Sequence, residues 1–551
     1  MRSASRARMV TGLVAVAAAA LTLPASLGPA QAEAPHGGTD PVVVPATAPE
    51  LVYLGRWGRD QGTAWTVNSG SRVVLRFTGR RVAGLFDQSQ VTYPPQVYAS
   101  VDGSRARLLS VDRDRIELSP RGLGPGTHTL VLAVKDVDER ANRWTQPLLS
   151  GLGLKGFELA PGGHAAPAGA PRGPRLEFLG DSITQGVRAV GPQIGVEGSD
   201  ATQDYAWLTG TALGGNFRQV GFGAQGITRA GGGGVPAAPE TLGLNYAGSP
   251  VDSAYVPQAV VINQGTNDFF NDVSGAVFEP AYLAYLRDVR ARWPQAWIFA
   301  VRPFGGYLSR EIEAAVAATG DARIRYVDTT GWIPQEQLTD GLHPTAVGHR
   351  TAARRLTREI VRQTGWRAAA VPKGSAPLLA AGGEPGFEGS DRTTWRAGGH
   401  VRAVSVATTD TAYHGSSVLA VESTVAPLGE WRTIKLKRGT AIPLPRRAKD
   451  LYAFVSVTDP AVTTFDVRVR AVRGGRTYTQ TTYDILNLAP FLPWDRVSVD
   501  VPGHGKVTAL SISVRAEGAS TAGELSFDVD DLGWTDTANR TSRIPLPRGV
   551  R

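Results

Sequence analysis

The sequence predicts an α/β domain with a parallel sheet, set between two β-sandwiches. Three observations predict this. Short alternating apolar runs fill about 48–160 and about 384–537; apolar runs alternate with helical patterns over about 174–366; two Ala/Pro/Gly-rich stretches, 160–173 and roughly 367–383, separate these parts.

Composition agrees with folded domains. The chain has 551 residues, 42% hydrophobic and 19% charged, which excludes wholesale disorder. Its net charge of +9 is mostly arginine spread along the chain. No dense Lys/Arg block suggests a nucleic-acid groove, so a solvated basic surface is expected and nucleic acid is not an expected partner. There is no cysteine, which excludes disulfides and thiol chemistry.

At the N-terminus, Arg2, Arg6 and Arg8 precede an apolar stretch from Met9 to about Leu23, followed by Ala30-Gln31-Ala32. That order predicts a secretory signal peptide (1–32) cleaved after Ala32. The apolar run is short and no other segment is apolar enough to span a bilayer, so an exported protein without a membrane anchor is expected.

In the first part, Val73, Leu75 and Phe77 alternate with polar neighbours, as do Val97, Ala99 and Val101 before the turn Asp102-Gly103. Leu130, Leu132 and Val134 follow Gly124-Pro125-Gly126. Such runs between turns predict an antiparallel sandwich. In the middle part, Leu176–Leu179, Ala259–Asn263, Trp297–Val301 and Ile324–Val327 read as buried parallel strands. Helices are predicted over Ala276–Trp293, Ser309–Ala318 and Pro344–Gln363, the last opening on a first-turn proline and stopping before Gly365. The third part returns to strands from Leu451–Val457 to Leu525–Val529, with a Gly474-Gly475 turn.

Four signals in the middle part carry chemistry. Gly180-Asp181-Ser182 follows the first strand, where open α/β sheets place their sites. Asp340-Gly341-Leu342-His343 precedes the last helix; a serine nucleophile needs a base, and the base needs a carboxylate to set its tautomer. Gly265-Thr266-Asn267-Asp268 follows the strand Ala259–Asn263, so the Asn267 amide can donate to a developing oxyanion while Asp268 braces the loop. The glycine-rich turn from Gly221 to Thr228 follows a strand near Phe217–Val220 and lets a backbone N–H approach the reacting carbonyl. Each alone also reads as an ordinary turn. No Gly-x-Ser-x-Gly elbow exists, which argues against an ordinary α/β-hydrolase.

Together the four resemble the SGNH (GDSL-type) hydrolases: Ser182 in GDSIT, Gly226 in GAQGIT with Gly223 as competitor, Asn267 in GTND, and Asp340 with His343 in DGLHP. The resemblance implies Ser182 as nucleophile, His343 as base and Asp340 as its orienting carboxylate. It implies an oxyanion hole from Ser182, Gly226 and Asn267, and no cofactor for catalysis. A small β-sandwich before such a domain resembles carbohydrate esterase family 2, whose members remove acetyl groups from plant polysaccharides. The stretches VRPFGG, YVDTTGW and DGLHPTAVGH add to that likeness. Some members of that family lack the acidic partner, whereas Asp340 is present here.

The resemblance makes an acylated polysaccharide the expected substrate. Phe269, Phe270, Phe304, Tyr307 and Trp332 fall on loops beside the catalytic blocks and can pack against sugar faces or in the core; Trp332 and Phe304 are the leading candidates. The third part resembles carbohydrate-binding jelly rolls, in which an opening Glu and a closing Asp share a structural calcium, so Glu388 and Asp531 are candidate ligands. Alternatives are a secreted lipase or arylesterase, and a catalytically inactive carbohydrate-binding protein. No coiled coil or obligate-dimer signature is visible, so a monomer is expected.

Overall fold

The computed structural model describes residues 40–371 and, beyond them, 378–379, 394–409, 412–413, 417–427, 429–444, 448, 450–459, 461–487, 493–517, 523–535 and 544–550. The predicted signal peptide, most of the second linker, Glu388 and the side chain of Asp531 lie outside the described residues.

The central sheet has five parallel strands in the order Phe217–Gly221, Leu176–Gly180, Ala259–Asn263, Trp297–Val301, Ile324–Val327. Helices cover both faces, which is why these strands read as continuous apolar runs. Alternate residues divide between the faces. Val260 and Ile262 pack with Phe278, Tyr282 and Leu286 of the helix Gly275–Arg292 and with Ile312 of Ser309–Thr319. Ala259 and Val261 pack with Trp207 of Tyr205–Ala212 and with Ala353 and Leu356 of Ala346–Thr364. Strand order reverses between Leu176–Gly180 and Ala259–Asn263, so a crevice opens beyond their carboxyl ends. The last helix begins at Ala346, not in the turn of Pro344: the Thr345 hydroxyl accepts from the Gly348 N–H at 3.2 Å, and Gly365 closes the helix at φ 71°.

Before this domain lie two six-stranded antiparallel sheets with a shared core that includes Val73, Leu75, Phe77, Phe86, Leu132 and Phe157. The first strand, Val42–Pro45, precedes the expected start and pairs with Leu152–Leu159. The stretch expected as a linker contributes Ala165–Ala166 to a sheet edge, against Phe77 and Arg76.

This β-domain shares its packing with the central one. Trp65, Val67 and Trp144 join the core on one face of the parallel sheet, and Val74, Tyr98 and Val131 the core on the other. Arg56 crosses the boundary fully buried: its Nε donates to Glu177 Oε1 at 2.8 Å, and its Nη groups donate to the Thr241, Leu242 and Leu244 carbonyls. Arg56→Ala would leave Glu177 buried with Arg218, 3.9 Å away, as its remaining partner. The expected cost is about 3 kcal/mol, read as a lowered urea midpoint.

The last part is again two six-stranded antiparallel sheets over one core, including Leu451, Val467, Ile512 and Phe527. Residues 544–550 then return to the central domain, where Ile544 and Val550 are buried and the Arg548 N–H donates to the Gly214 carbonyl at 3.0 Å. Among the described residues no helix is long and apolar enough to cross a membrane.

Candidate active site

Ser182 opens the short helix Ser182–Gln185 directly after the first central strand. Asp181 caps this helix, its carboxylate accepting from the Ile183 N–H at 2.9 Å. Burial pushes the Asp181 carboxyl up to about 6. Gly180 is required by close approach: a Cβ there would stand 2.1 Å from Thr184 Oγ1.

His343 stands over the serine, its Nε2 2.9 Å from Ser182 Oγ and its Nδ1 2.7 Å from Asp340 Oδ2. A carboxylate can only accept, so Nδ1 carries the hydrogen and Nε2 is free to accept from the hydroxyl. Asp340 Oδ1 accepts from the backbone N–H groups of Leu342 and His343, at 3.0 and 2.7 Å. Arg188 Nη1 donates to Oδ2 at 2.9 Å. Burial alone would raise the Asp340 carboxyl, but the His343 and Arg188 charges outweigh it and hold it well below the usual carboxylate range. Asp340 therefore stays ionised beside the imidazole. The nearby His349 differs: its Nδ1 accepts from the Tyr205 N–H at 3.2 Å, and burial holds it down to about 3. It is a neutral core group.

Asn267 lies on Thr266–Phe270, after the third central strand in chain order, half-buried, with its amide donating to the Gln225 carbonyl at 2.9 Å. Asp268 braces the neighbouring turn: its carboxylate accepts from the N–H groups of Ile227 and Thr228, both at 2.9 Å.

Gly226 departs from its expected use. Its N–H donates to the Arg229 carbonyl at 3.0 Å, so in this structure it is not free for an oxyanion. The glycine is needed for another reason: a Cβ would fall 2.5 Å from Asp268 Oδ2. The competitor Gly223 also has its N–H engaged, by Gln185 Oε1 at 3.0 Å.

Beside Asn267, Phe269 and Phe270 are 46% and 37% exposed and gather with Tyr307 in one aromatic group. Their centroids lie 4.7 and 4.9 Å from the tyrosine ring. The two leading candidates sit deeper. Phe304 meets the Tyr205 ring edge-on at 5.5 Å, and both it and Trp332 pack half-buried against the core under the last helix. No cluster of three His, Cys, Asp or Glu that could hold a metal ion occurs among the described residues, and Glu388 and the Asp531 side chain lie outside them.

Three supports had no sequence signal. Gln185, on the serine helix, donates to Asp136 Oδ1 at 3.1 Å and accepts from Arg143 Nη1 at 3.0 Å; both partners come from the preceding β-domain. Arg188 also donates to Asp495 Oδ1 of the last domain, at 3.2 Å. Burial pushes Asp495 up to about 8, against the pull of Arg188 and with the Asp340 charge adding to the rise. A cleft of about 580 Å³ opens where the three parts meet, lined by Tyr98, Lys135, Gln193, Thr339 and Arg496; Ser182 does not line it.

Residues 178–351 match the GDSL-like Lipase/Acylhydrolase family. Cellulase/esterase CelE of Acetivibrio thermocellus is 29% identical over 347 residues, covering 58% of this chain and 40% of that protein, so the chain spans two-fifths of that relative's length. A family two carbohydrate esterase from Cellvibrio japonicus is 19% identical, with a TM-score of 0.51 over 59% of this chain and 99% of its own, a likeness of fold. Another, from Clostridium thermocellum and solved in complex with cellohexaose, is 26% identical, with a TM-score of 0.49 over 57% of this chain and 99% of its own. The match to the GDSL-like Lipase/Acylhydrolase family thus falls on the parallel-sheet part of this chain, which has β-rich regions before and after it.

Proposed function

We propose that the protein is a secreted serine esterase that removes O-acyl groups, acetyl foremost, from polysaccharide through an acyl-enzyme on Ser182. The observation that carries this reading is the line of hydrogen bonds from Asp340 through His343 to Ser182 Oγ. His343 Nε2 takes the hydroxyl proton as Oγ attacks the ester carbonyl, and Asp340 stabilises the imidazolium that forms. His343 then returns the proton to the departing sugar oxygen. Water, activated by the same nitrogen, attacks the acyl-enzyme, and Ser182 is regenerated with release of the acyl acid.

The Ser182 N–H, which has no acceptor within its own helix, and the Asn267 amide are the oxyanion donors in this reading. Gly226 is left out because its N–H is bonded to Arg229. Asn267→Ala is expected to lower kcat for p-nitrophenyl acetate by about 10²–10³, read from steady-state kinetics.

Carbohydrate as the substrate draws support from the name of the Acetivibrio relative, Cellulase/esterase CelE. The exposed rings of Phe269 and Phe270, backed by the half-buried Tyr307, suit the apolar face of a sugar. We read the flanking β-domains as sandwiches, the last a carbohydrate-binding jelly roll. The deciding experiment measures acetate released from acetylated xylan, glucomannan and other acylated glycans, with Ser182→Ala as control. No acyl acid from any ester would overturn the esterase reading and leave a carbohydrate-binding protein. The same three rings also suit an apolar acyl chain, which is the ground for a lipase or arylesterase as second reading. A rate that climbs with acyl length on p-nitrophenyl esters, with none on acetylated glycans, would select it.

A further inference from the structure

Among the described residues, Arg188 links the Asp340 carboxylate to the last domain through its side chain, with Nη1 between Asp340 and Asp495. It is 1% exposed and adopts φ 56°, a left-handed conformation costly for a residue with a Cβ. Its carbonyl accepts from the Thr339 hydroxyl at 2.7 Å. Thr339 in turn receives the Arg496 N–H on its own carbonyl at 2.8 Å and donates its N–H to the His343 carbonyl at 2.7 Å. The last domain thus reaches the Asp340–His343 loop by two routes, the Arg496 N–H on neighbouring Thr339 and Asp495 by way of Arg188.

The geometry at Asp340 Oδ2 sets up a competition. His343 Nδ1 and Arg188 Nη1 donate to the same oxygen, at 2.7 and 2.9 Å. A guanidinium free to settle on Oδ2 would draw that oxygen from the imidazole just when the imidazolium needs it. Asp495 Oδ1 takes Nη1 from the opposite side at 3.2 Å and holds it between two acceptors.

Resting on the serine-esterase reading, we propose that Asp495 is a positioning residue for catalysis, holding Arg188 so that Asp340 Oδ2 stays directed at His343, and hence that the last domain completes the active site as well as any binding it performs. Asp495 Oδ1 is the atom that accepts from Arg188 Nη1, and a carboxyl oxygen can accept whether or not the group is ionised. An asparagine, whose amide oxygen also accepts, should replace it.

The test compares full-length Asp495→Leu and Asp495→Asn, alone and combined with Asp340→Asn. Asp495→Leu is expected to lower kcat for p-nitrophenyl acetate roughly 10–100-fold with little change in KM. Asp495→Asn should stay within about threefold of the parent, since the acceptor is kept. In the Asp340→Asn background, Asp495→Leu should cost nothing further, because the effect runs through Asp340. An unchanged kcat in Asp495→Leu, or losses that simply multiply, would overturn the proposal. Should the leucine variant not fold, Asp495→Ser, too short to reach Arg188, takes its place. The downfield proton of His343 Nδ1, identified by its loss in His343→Gln, gives a readout without substrate. It should shift in Asp495→Leu and persist in Asp495→Asn, and an unchanged signal in the leucine variant sinks the coupling even if the chain hydrolyses no ester.

Discussion

Ser182→Ala is expected to lower kcat for p-nitrophenyl acetate by roughly 10⁶, with KM changed little. Alanine removes only Oγ and with it the bond to His343 Nε2 at 2.9 Å. The cap from Asp181 to the Ile183 N–H, the buried helix and the Asp340–His343 bond all remain. Whatever hydrolysis survives comes from water attacking an ester still held by the Asn267 amide and the surrounding surface. Steady-state kinetics, with mass spectrometry to detect the acyl-serine in the parent and its absence in the variant, checks both halves of this expectation. A variant that hydrolyses within about tenfold of the parent would place the nucleophile elsewhere.

Asp340→Asn should cost about 10⁴ in kcat while leaving the fold in place. The two backbone N–H groups of Leu342 and His343 fix where the amide oxygen must sit, because only an oxygen can accept them at the Oδ1 position. The amide NH₂ then faces His343 Nδ1 and the Arg188 guanidinium, both of which need an acceptor. The imidazole answers by moving its hydrogen to Nε2, the tautomer that cannot take a proton from Ser182. The pH profile separates this cause from unfolding: activity should recover partly at high pH, where hydroxide replaces the missing base, while the thermal midpoint stays near that of the parent.

The residues of the candidate site were legible because each sits in a short local pattern. A serine after a buried apolar run, an Asn after another and an Asp three residues before a His on one tight loop keep their meaning without knowledge of distant neighbours. The last of these is the clearest case. The i, i+3 spacing alone lets Asp340 accept from both the backbone N–H and the ring of His343. The parallel sheet was legible for a related reason, since strands buried on both faces are largely apolar.

Other features depend on what arrives from far along the chain. Gly226 has the right type and place for an oxyanion donor, yet the Arg229 carbonyl takes its N–H, and the Asp268 carboxylate is what requires a glycine there. Phe304 and Trp332 were indistinguishable by sequence from Phe269 and Tyr307. The first two pack against the core, whereas Phe269 and Phe270 stay exposed and gather on the half-buried Tyr307.

By itself, then, the sequence determined the central fold class and the order of its strands along the chain, and it singled out Ser182, Asn267, Asp340 and His343 as candidates, because periodicity and short-range spacing act within a few residues. Only the tertiary structure decided how the three parts join. The Arg56–Glu177 pair, the Asp136 and Arg143 contacts to Gln185, the return of Ile544 and Val550, and the Asp340–Arg188–Asp495 bridge each unite residues far apart in the chain. A buried charge is stable only with its partner in place, and a partner that comes from another domain leaves no mark in the local sequence around either residue.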